Sequence, residues 1–334
     1  MTPRRAGSEK KGAGRKVAIE HKPLLEDNFL KLLAEFTAGD PMRDGVLWTN
    51  LSRREISCRL AEMGTPTSRH TVRKLLKKHG LGQRKTRKKK ALGYHPDRDA
   101  QFQNIAKLKA AYRDKGEPVI SIDTKKKELI GNFSREGHTY TQRPVDTLDH
   151  DFSSAGEGKL IPHGIYDLAH NRGYMNLNTS HDTSEFCCDS IAHWWKQYGS
   201  QDYPDARQLL VLCDGGGSNA ANRHVFKEAL QALAERLGLE IRVAHYPPYC
   251  SKYNPIEHRL FAHITRACQG VVFHSVAIAK QFMEKTKTCK GLKVIVDILT
   301  GVYATGKKCS EGFLENMTII FDDYLPHSNY RAFP

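Results

Sequence analysis

Residues 247–261 read Pro247-Pro248-Tyr249-Cys250-Ser251-Lys252-Tyr253-Asn254-Pro255-Ile256-Glu257-His258-Arg259-Leu260-Phe261. The run before it, Glu240 to Tyr246, has the composition of a strand. Asn254 followed by Pro255 marks a helix start, with asparagine as N-cap and proline at the first helical position, where its missing N–H costs nothing. The pattern predicts a helix over Pro255 to Ala267 that presents one carboxylate, Glu257, in its first turn. Two other acids end short apolar runs: Asp123 in Val119-Ile120-Ser121-Ile122-Asp123 and Asp214 in Leu209-Leu210-Val211-Leu212-Cys213-Asp214. Ligand sites in α/β sheets gather at the carboxyl ends of strands. If the two strands are adjacent and parallel, the aspartates are neighbours and the glutamate can join them. Hard divalent cations take such oxygen ligands, and a pair of them about 3.5–4 Å apart suits phosphodiester chemistry.

Each acid also has a plainer role open to it. Asp123 precedes Thr124-Lys125-Lys126-Lys127 and could be salt-bridged. Asp214 precedes Gly215-Gly216-Gly217 and could be a turn residue. Glu257 stands where a glutamate reaches back to the N-cap amide in a capping box. The joint arrangement favours the shared site over three separate coincidences. Other chemistries lack support: Asp214 to Asn219 has neither the order nor the lysine of a P-loop, His245, His258 and His263 lack zinc-ligand spacing, and no nucleophile-elbow motif occurs.

The 334 residues are 39% hydrophobic, enough for one sizeable core and a smaller domain. No run of 18 apolar residues and no apolar leader occurs, so neither a membrane span nor a secretory signal is expected, and the reading is cytoplasmic. The eight cysteines form no CxxC pair and read as reduced, mostly buried thiols. Net charge is +15, but residues 51–94 alone hold 14 basic and 2 acidic side chains, +12 of the total. Charge so concentrated implies a polyanion, because cations that neutralise phosphates release condensed counterions. A helix is predicted over Pro23 to Phe36, then a helical pair: Ser52 to Met63, a turn at Gly64-Thr65-Pro66, and a second helix opened by Ser68. That outline is a helix-turn-helix. In the second helix Val72, Leu75 and Leu76 pack, leaving Arg69, Arg73, Lys74 and Lys77 for DNA, with Arg84, Lys85, Arg87 and Lys88 in a basic linker beyond. The expected organisation is a basic leader at 1–22, a DNA-binding region at 23–82, a linker at 83–98 and a catalytic region at 99–334 with an insertion at about 124–160. In that last part, strands over Pro118 to Asp123, His163 to Ala169, Gly173 to Thr179, Gln208 to Asp214 and Glu240 to Tyr246, interleaved with helices, predict an α/β fold with a mixed sheet.

The chain resembles the DDE transposases of bacterial insertion sequences, most closely the Rhodopirellula-type (ISAzo-type) family. The residues that carry this are Val119 to Phe133, His150-Asp151-Phe152, Pro162-His163-Gly164-Ile165-Tyr166-Asp167, Asp214-Gly215-Gly216-Gly217-Ser218-Asn219 and Ser251 to Phe261. The Asn254-Pro255-Ile256-Glu257 element is also similar to the last catalytic block of mariner-like transposases. The resemblance implies an RNase H-like five-stranded mixed sheet in which Asp123, Asp214 and Glu257 bind Mg²⁺ or Mn²⁺, two ions in all. It implies cleavage and strand transfer at insertion-sequence ends, double-stranded DNA partners (terminal inverted repeats and target), a homodimer or larger assembly, and a bacterial, nucleoid-associated location. Relatives usually begin with a further helical DNA-binding segment, so a shortened N-terminus is expected here; separately, Pro326-His327-Ser328-Asn329-Tyr330 departs from the Trp-containing ending that relatives often show. Two other readings stay open: a catalytically inert DNA-binding protein, and an RNase H-like nuclease for RNA–DNA hybrids.

Overall fold

The computed structural model describes residues 22–39, 47–84 and 95–334. The chain forms two compact units, residues 1–89 and 90–334. In the first, α1 (Pro23–Phe36), a two-residue ribbon of β1 (Ala38–Gly39) and β2 (Leu47–Trp48), α2 (Arg53–Glu62) and α3 (Arg69–Lys78) follow in order. Leu25, Phe29, Leu33, Ile56, Leu60, Val72 and Leu75 make its core. Both helix starts predicted from serine are formed. Ser52 and Glu55 make a reciprocal capping box, and Ser68 accepts from the Thr71 amide.

The second unit is built on a nine-stranded mixed sheet. After α4 (Arg98–Asp114) come β3 (Val119–Thr124), β4 (Glu128–Ile130), β5 (Gly158–Asp167), β6 (Arg172–Asn178), α5 (Ser184–Trp194), β7 (Gln208–Cys213), α6 (His224–Leu237) and β8 (Glu240–His245). Then follow a helix α7, which starts at Pro255, passes through a π-helical turn (Glu257–Phe261) and continues through Ala262–Ala267, α8 (Val276–Glu284), β9 (Lys293–Ile298), β10 (Ile320–Phe321) and β11 (Asn329–Ala332). The strand order is β10-β11-β8-β7-β3-β5-β6-β9, with β4 paired to β5. The five expected strands form its centre. The other four were not legible because β4, β10 and β11 are too short to show a period and β9 lies beyond the alternating segments.

Period-two alternation sorts the side chains of the central strands. Ile120, Ile122, Leu209, Val211 and Cys213 face α5 and α6, whereas Val119, Leu210 and Leu212 face α4. Helix α7 packs with α8 over Tyr166, Met175, Leu177 and Val296 through Ile256, Leu260, Phe261 and Ile264. Two glycines let it come close. A Cβ on Gly164 would lie 2.5 Å from a Phe261 ring carbon and 2.9 Å from the Ile256 terminal methyl, and one on Gly173 would strike Leu260. Trp194 is buried in the core. All eight cysteines are free thiols, but Cys58 and Cys289 are exposed rather than buried. Among the described residues no helix is long and apolar enough to cross a membrane.

Gly173→Ala should therefore destabilise the second unit by about 1–3 kcal/mol, the cost of overpacking a filled interface. Urea denaturation followed by circular dichroism measures it, and an unchanged midpoint would contradict the close packing of Leu260.

Candidate active site

Strands β3 and β7 are adjacent and parallel, with Ser121 opposite Leu212. Asp123 and Asp214 each lie two residues beyond that pair. The register thus sets the two aspartates side by side where the strands end, the placement that the sequence reading required. Neither is free to drift: the Thr124 amide donates to Asp123 Oδ1 at 2.7 Å, and the Gly216 amide donates to Asp214 Oδ1 at 3.2 Å.

The third carboxylate is brought in by a clamp between β3 and the start of α7. Ser121 and Asn254 are fully buried. The Ser121 hydroxyl donates to Asn254 Oδ1 and accepts from the Ile256 amide at 3.0 Å, while Asn254 Nδ2 donates to the Ile122 carbonyl at 3.0 Å. The expected N-cap role of Asn254 is therefore corrected: its side chain caps no amide of α7. Ser121 does so instead, from the neighbouring strand, because its hydroxyl can donate and accept at once. The capping-box role of Glu257 is also not taken up, since the Asn254 amide donates to the Ser251 carbonyl at 2.8 Å. Glu257 instead lies against Asp123. Ser121, one residue before Ile122 in an apolar run, is the positioning residue that sequence reasoning missed; a lone hydroxyl on the face shared with Asp123 was the available signal.

Burial, then the facing Asp214 carboxylate, push the Asp123 carboxyl up to about 8; Glu257 adds to the rise and the Thr124 amide opposes it. Among the described residues none of the three carboxylates has an ion-pair partner, so the lysines after Asp123 do not neutralise it. Lys125 is paired with Glu128 at 2.6 Å, and Lys127 approaches Asp182 at 3.9 Å. Three converging carboxylates with no cationic side chain among them, in part shielded from water, form an all-oxygen donor set suited to a hard divalent ion.

The described residues hold one group of three ligand atoms all within 4.8 Å of each other, and it is Asp167, His170 and Asp202, not these acids. The three acids are spread more widely, as like charges facing one another should be. Asp167 pairs with Ile120 at the opposite end of β3. Its carboxylate is already occupied by the Tyr203 hydroxyl at 2.9 and 3.0 Å, the Ala169 and His170 amides and His170 Nδ1, while Asp202 is paired with Arg172. It is a hydrogen-bonded anchor for the β5–β6 turn. His258 and His263 join no such group, and His245 is buried behind Asp214.

On α3, Arg69, Arg73, Lys74 and Lys77 are all exposed, and none has an ion-pair partner among the described residues. Arg84, past the helix, is exposed as well. Lys85, Arg87 and Lys88 lie outside the described residues.

An acid whose folded-state pKa is raised above its ordinary 3.8 contributes stability that is present below pH 3.8 and lost as the pH climbs through about 8. In chelator, Asp123→Asn should thus be more stable than wild type by about 1–3 kcal/mol at pH 8, with the gap closing towards pH 4. Urea melts of both proteins at the two pH values measure it. A gap that is absent or grows towards acid pH would contradict the crowding of the three acids.

No curated protein sequence matches this chain. Solved structures similar to it include the Mos1 transposase paired-end complex with left transposon end (15% identity, 83% of this chain and 74% of that one, TM-score 0.44). Two others are the mariner Mos1 paired-end complex with Mg (14%, 85% and 75%, TM-score 0.46) and the Mos1 strand transfer complex (15%, 83% and 73%, TM-score 0.42). A family model described as the Rhodopirellula transposase DDE domain matches residues 28–334. Spanning nearly the whole chain, and with it all three strand-end and helix-start acids, that match makes this protein a member of the Rhodopirellula-type DDE transposase family.

Proposed function

We propose that this member of the transposase family cuts DNA at the ends of an insertion sequence and joins the freed 3′ end to target DNA, using Asp123, Asp214 and Glu257 as the metal-binding acids. The observation that carries this is the parallel register of β3 and β7, which sets Asp123 beside Asp214, together with the Ser121–Asn254 clamp that brings in the helix start bearing Glu257; burial, then the facing Asp214 carboxylate, raise the Asp123 pKa to about 8. Carboxylates that oppose one another's ionisation cost stability unless cations are shared among them. When bound, Mg²⁺ or Mn²⁺ would supply charge neutralisation at the scissile phosphate and activation of the attacking oxygen, two ions being the expected number. The chain's own residues do the rest. Ser121 and Asn254 hold Glu257 against β3, the Thr124 and Gly216 amides orient the two aspartates, and in the metal-free protein Asp123 keeps a proton within reach of Glu257. Positioning is the main protein contribution in such reactions, because little covalent chemistry is left for side chains to perform.

The central strand order β6-β5-β3-β7-β8 supports an RNase H-like sheet. Within the first unit, α2, the turn after it and α3 support a helix-turn-helix whose α3 carries four cations for inverted-repeat DNA. In the sequence, Arg84, Lys85, Arg87 and Lys88 follow as further cations for the same DNA. Two DNA ends must be held for joining, so the active assembly on DNA is a homodimer or larger.

Divalent-metal-dependent cleavage of a labelled insertion-sequence end should be abolished in Asp214→Asn, a loss larger than the roughly 10–100-fold that outer-shell partners cost. Equal behaviour of variant and wild type would favour an inert DNA-binding protein, and cleavage of RNA–DNA hybrids without preference for terminal repeats would favour a hybrid nuclease. In the same protein, replacing Arg73, Lys74 and Lys77 together by alanine should weaken end binding and flatten its salt dependence by about one in the log–log slope for each phosphate that is no longer neutralised. Titrations at several salt concentrations read this, and an unchanged slope would remove α3 from the DNA interface.

A further inference from the structure

Asp214 is held at its backbone as well as at its carboxylate. Its carbonyl oxygen lies 2.9 Å from His245 Nδ1. A carbonyl can only accept, so Nδ1 carries the ring proton. In the neutral ring Nε2 is then a bare lone pair, and the Tyr330 hydroxyl, 2.8 Å away, must donate to it. The ring is buried, its other Nδ1 neighbour is the Cys213 thiol at 3.3 Å, and among the described residues no carboxylate pairs with it, so its surroundings favour the neutral form. Tyr330 is itself fully buried in β11, opposite Val243 of β8, with the Lys227 ammonium 5.0 Å from its ring centroid. The His245 amide and carbonyl are also bound, the first to the Ser328 carbonyl at 2.8 Å and the second by Gln101 Nε2 at 2.9 Å.

The need for such a hold follows from what comes after Asp214. Gly215, Gly216 and Gly217 have no side chains with which to anchor the chain, and a Cβ on Gly215 would meet nothing nearer than the Tyr246 carbonyl at 3.9 Å. The last side-chain hold on this peptide before the glycine run is therefore the one from His245.

We propose that His245 and Tyr330 are positioning residues for Asp214: the Nδ1–H of His245 fixes the Asp214 carbonyl, and the Tyr330 hydroxyl, donating to Nε2, holds the ring in that orientation, so that the C-terminal strand sets the aim of the second carboxylate. This rests on the reading of Asp214 as a metal-binding acid. Outer partners that orient ligand groups commonly change metal affinity or activity by about 10–100-fold.

Three variants separate this from simple core packing. Asparagine places an amide N–H near the position of Nδ1, glutamine near that of Nε2, and Tyr330→Phe removes one oxygen. His245→Gln and Tyr330→Phe should lower end cleavage by about 10–100-fold and raise the Mg²⁺ concentration at half-maximal rate, whereas His245→Asn should recover most of that loss. In the metal-free protein, ¹⁵N-histidine spectra should show the signal missing from His245→Asn as Nδ1-protonated, and Tyr330→Phe should move its Nε2 resonance as the hydroxyl's hydrogen bond is lost while Nδ1 stays protonated. Cleavage and metal dependence like wild type in His245→Gln and Tyr330→Phe, or an Nε2-protonated ring in wild type, would overturn the proposal. So would equal losses in the asparagine and glutamine variants. If His245→Gln does not fold, as judged by thermal melting, Tyr330→Phe decides alone. Failure of wild type to cleave would instead overturn the transposase reading, and the ¹⁵N spectra would still decide whether His245 donates from Nδ1 and whether Tyr330 bonds its Nε2.

Discussion

A single buried hydroxyl joins the two halves of the candidate site. Ser121 stands in β3 two residues before Asp123, and it spends both its donor and its acceptor on the start of α7. Buried polar groups are costly when unpaired, so the Ser121, Asn254 and Ile256 groups satisfy one another or none of them does. The result is that the distance between a strand-end aspartate and a helix-start glutamate is set by hydrogen bonds rather than by loop length. The glycines at 164 and 173 serve the same end by letting α7 settle directly on the sheet, and Gly164 is the cross-strand partner of Asp123 itself.

The site combines strong fixation with strong electrostatic cost. β3 and β7 fix the aspartates through register, the clamp fixes the glutamate, and none of the three carboxylates meets a cationic side chain among the described residues. Such an arrangement has no stability rationale of its own, since neutralising one acid by a lysine would relieve it. Lysines are close in sequence, at 125 to 127, but Lys125 is committed to Glu128, which also takes Arg135 at 3.2 Å. Charge that could have quenched the site is diverted into the β4 region.

Much of this was legible in the chain. Helix starts at Ser52 and Ser68, the paired strands of β5 and β6, and the acids at strand ends all follow from local rules, because capping and period-two burial act over a few residues. The roles of Ser121, Asn254 and His245 were not legible. Asn254 before Pro255 looks like an N-cap by every local criterion, and only a serine 133 residues earlier shows otherwise. His245 looked like a lone histidine, and its meaning depends on Tyr330, 85 residues away. Long-range pairs of polar groups leave no periodic trace.

The π-helical turn at Glu257–Phe261 has a different kind of consequence. Such a turn holds one residue more than the α-helical turn, and one residue corresponds to about 100° around the axis. Glu257 at its start and the Leu260–Phe261 pair at its end are therefore phased separately, one towards the acids and the other towards the sheet. The direction of the carboxylate is thus written in the number of residues in that turn as well as in their kind. Losing one residue there would swing Glu257 away from Asp123 while leaving every side chain of the motif present, a failure that no inspection of the residues alone would detect.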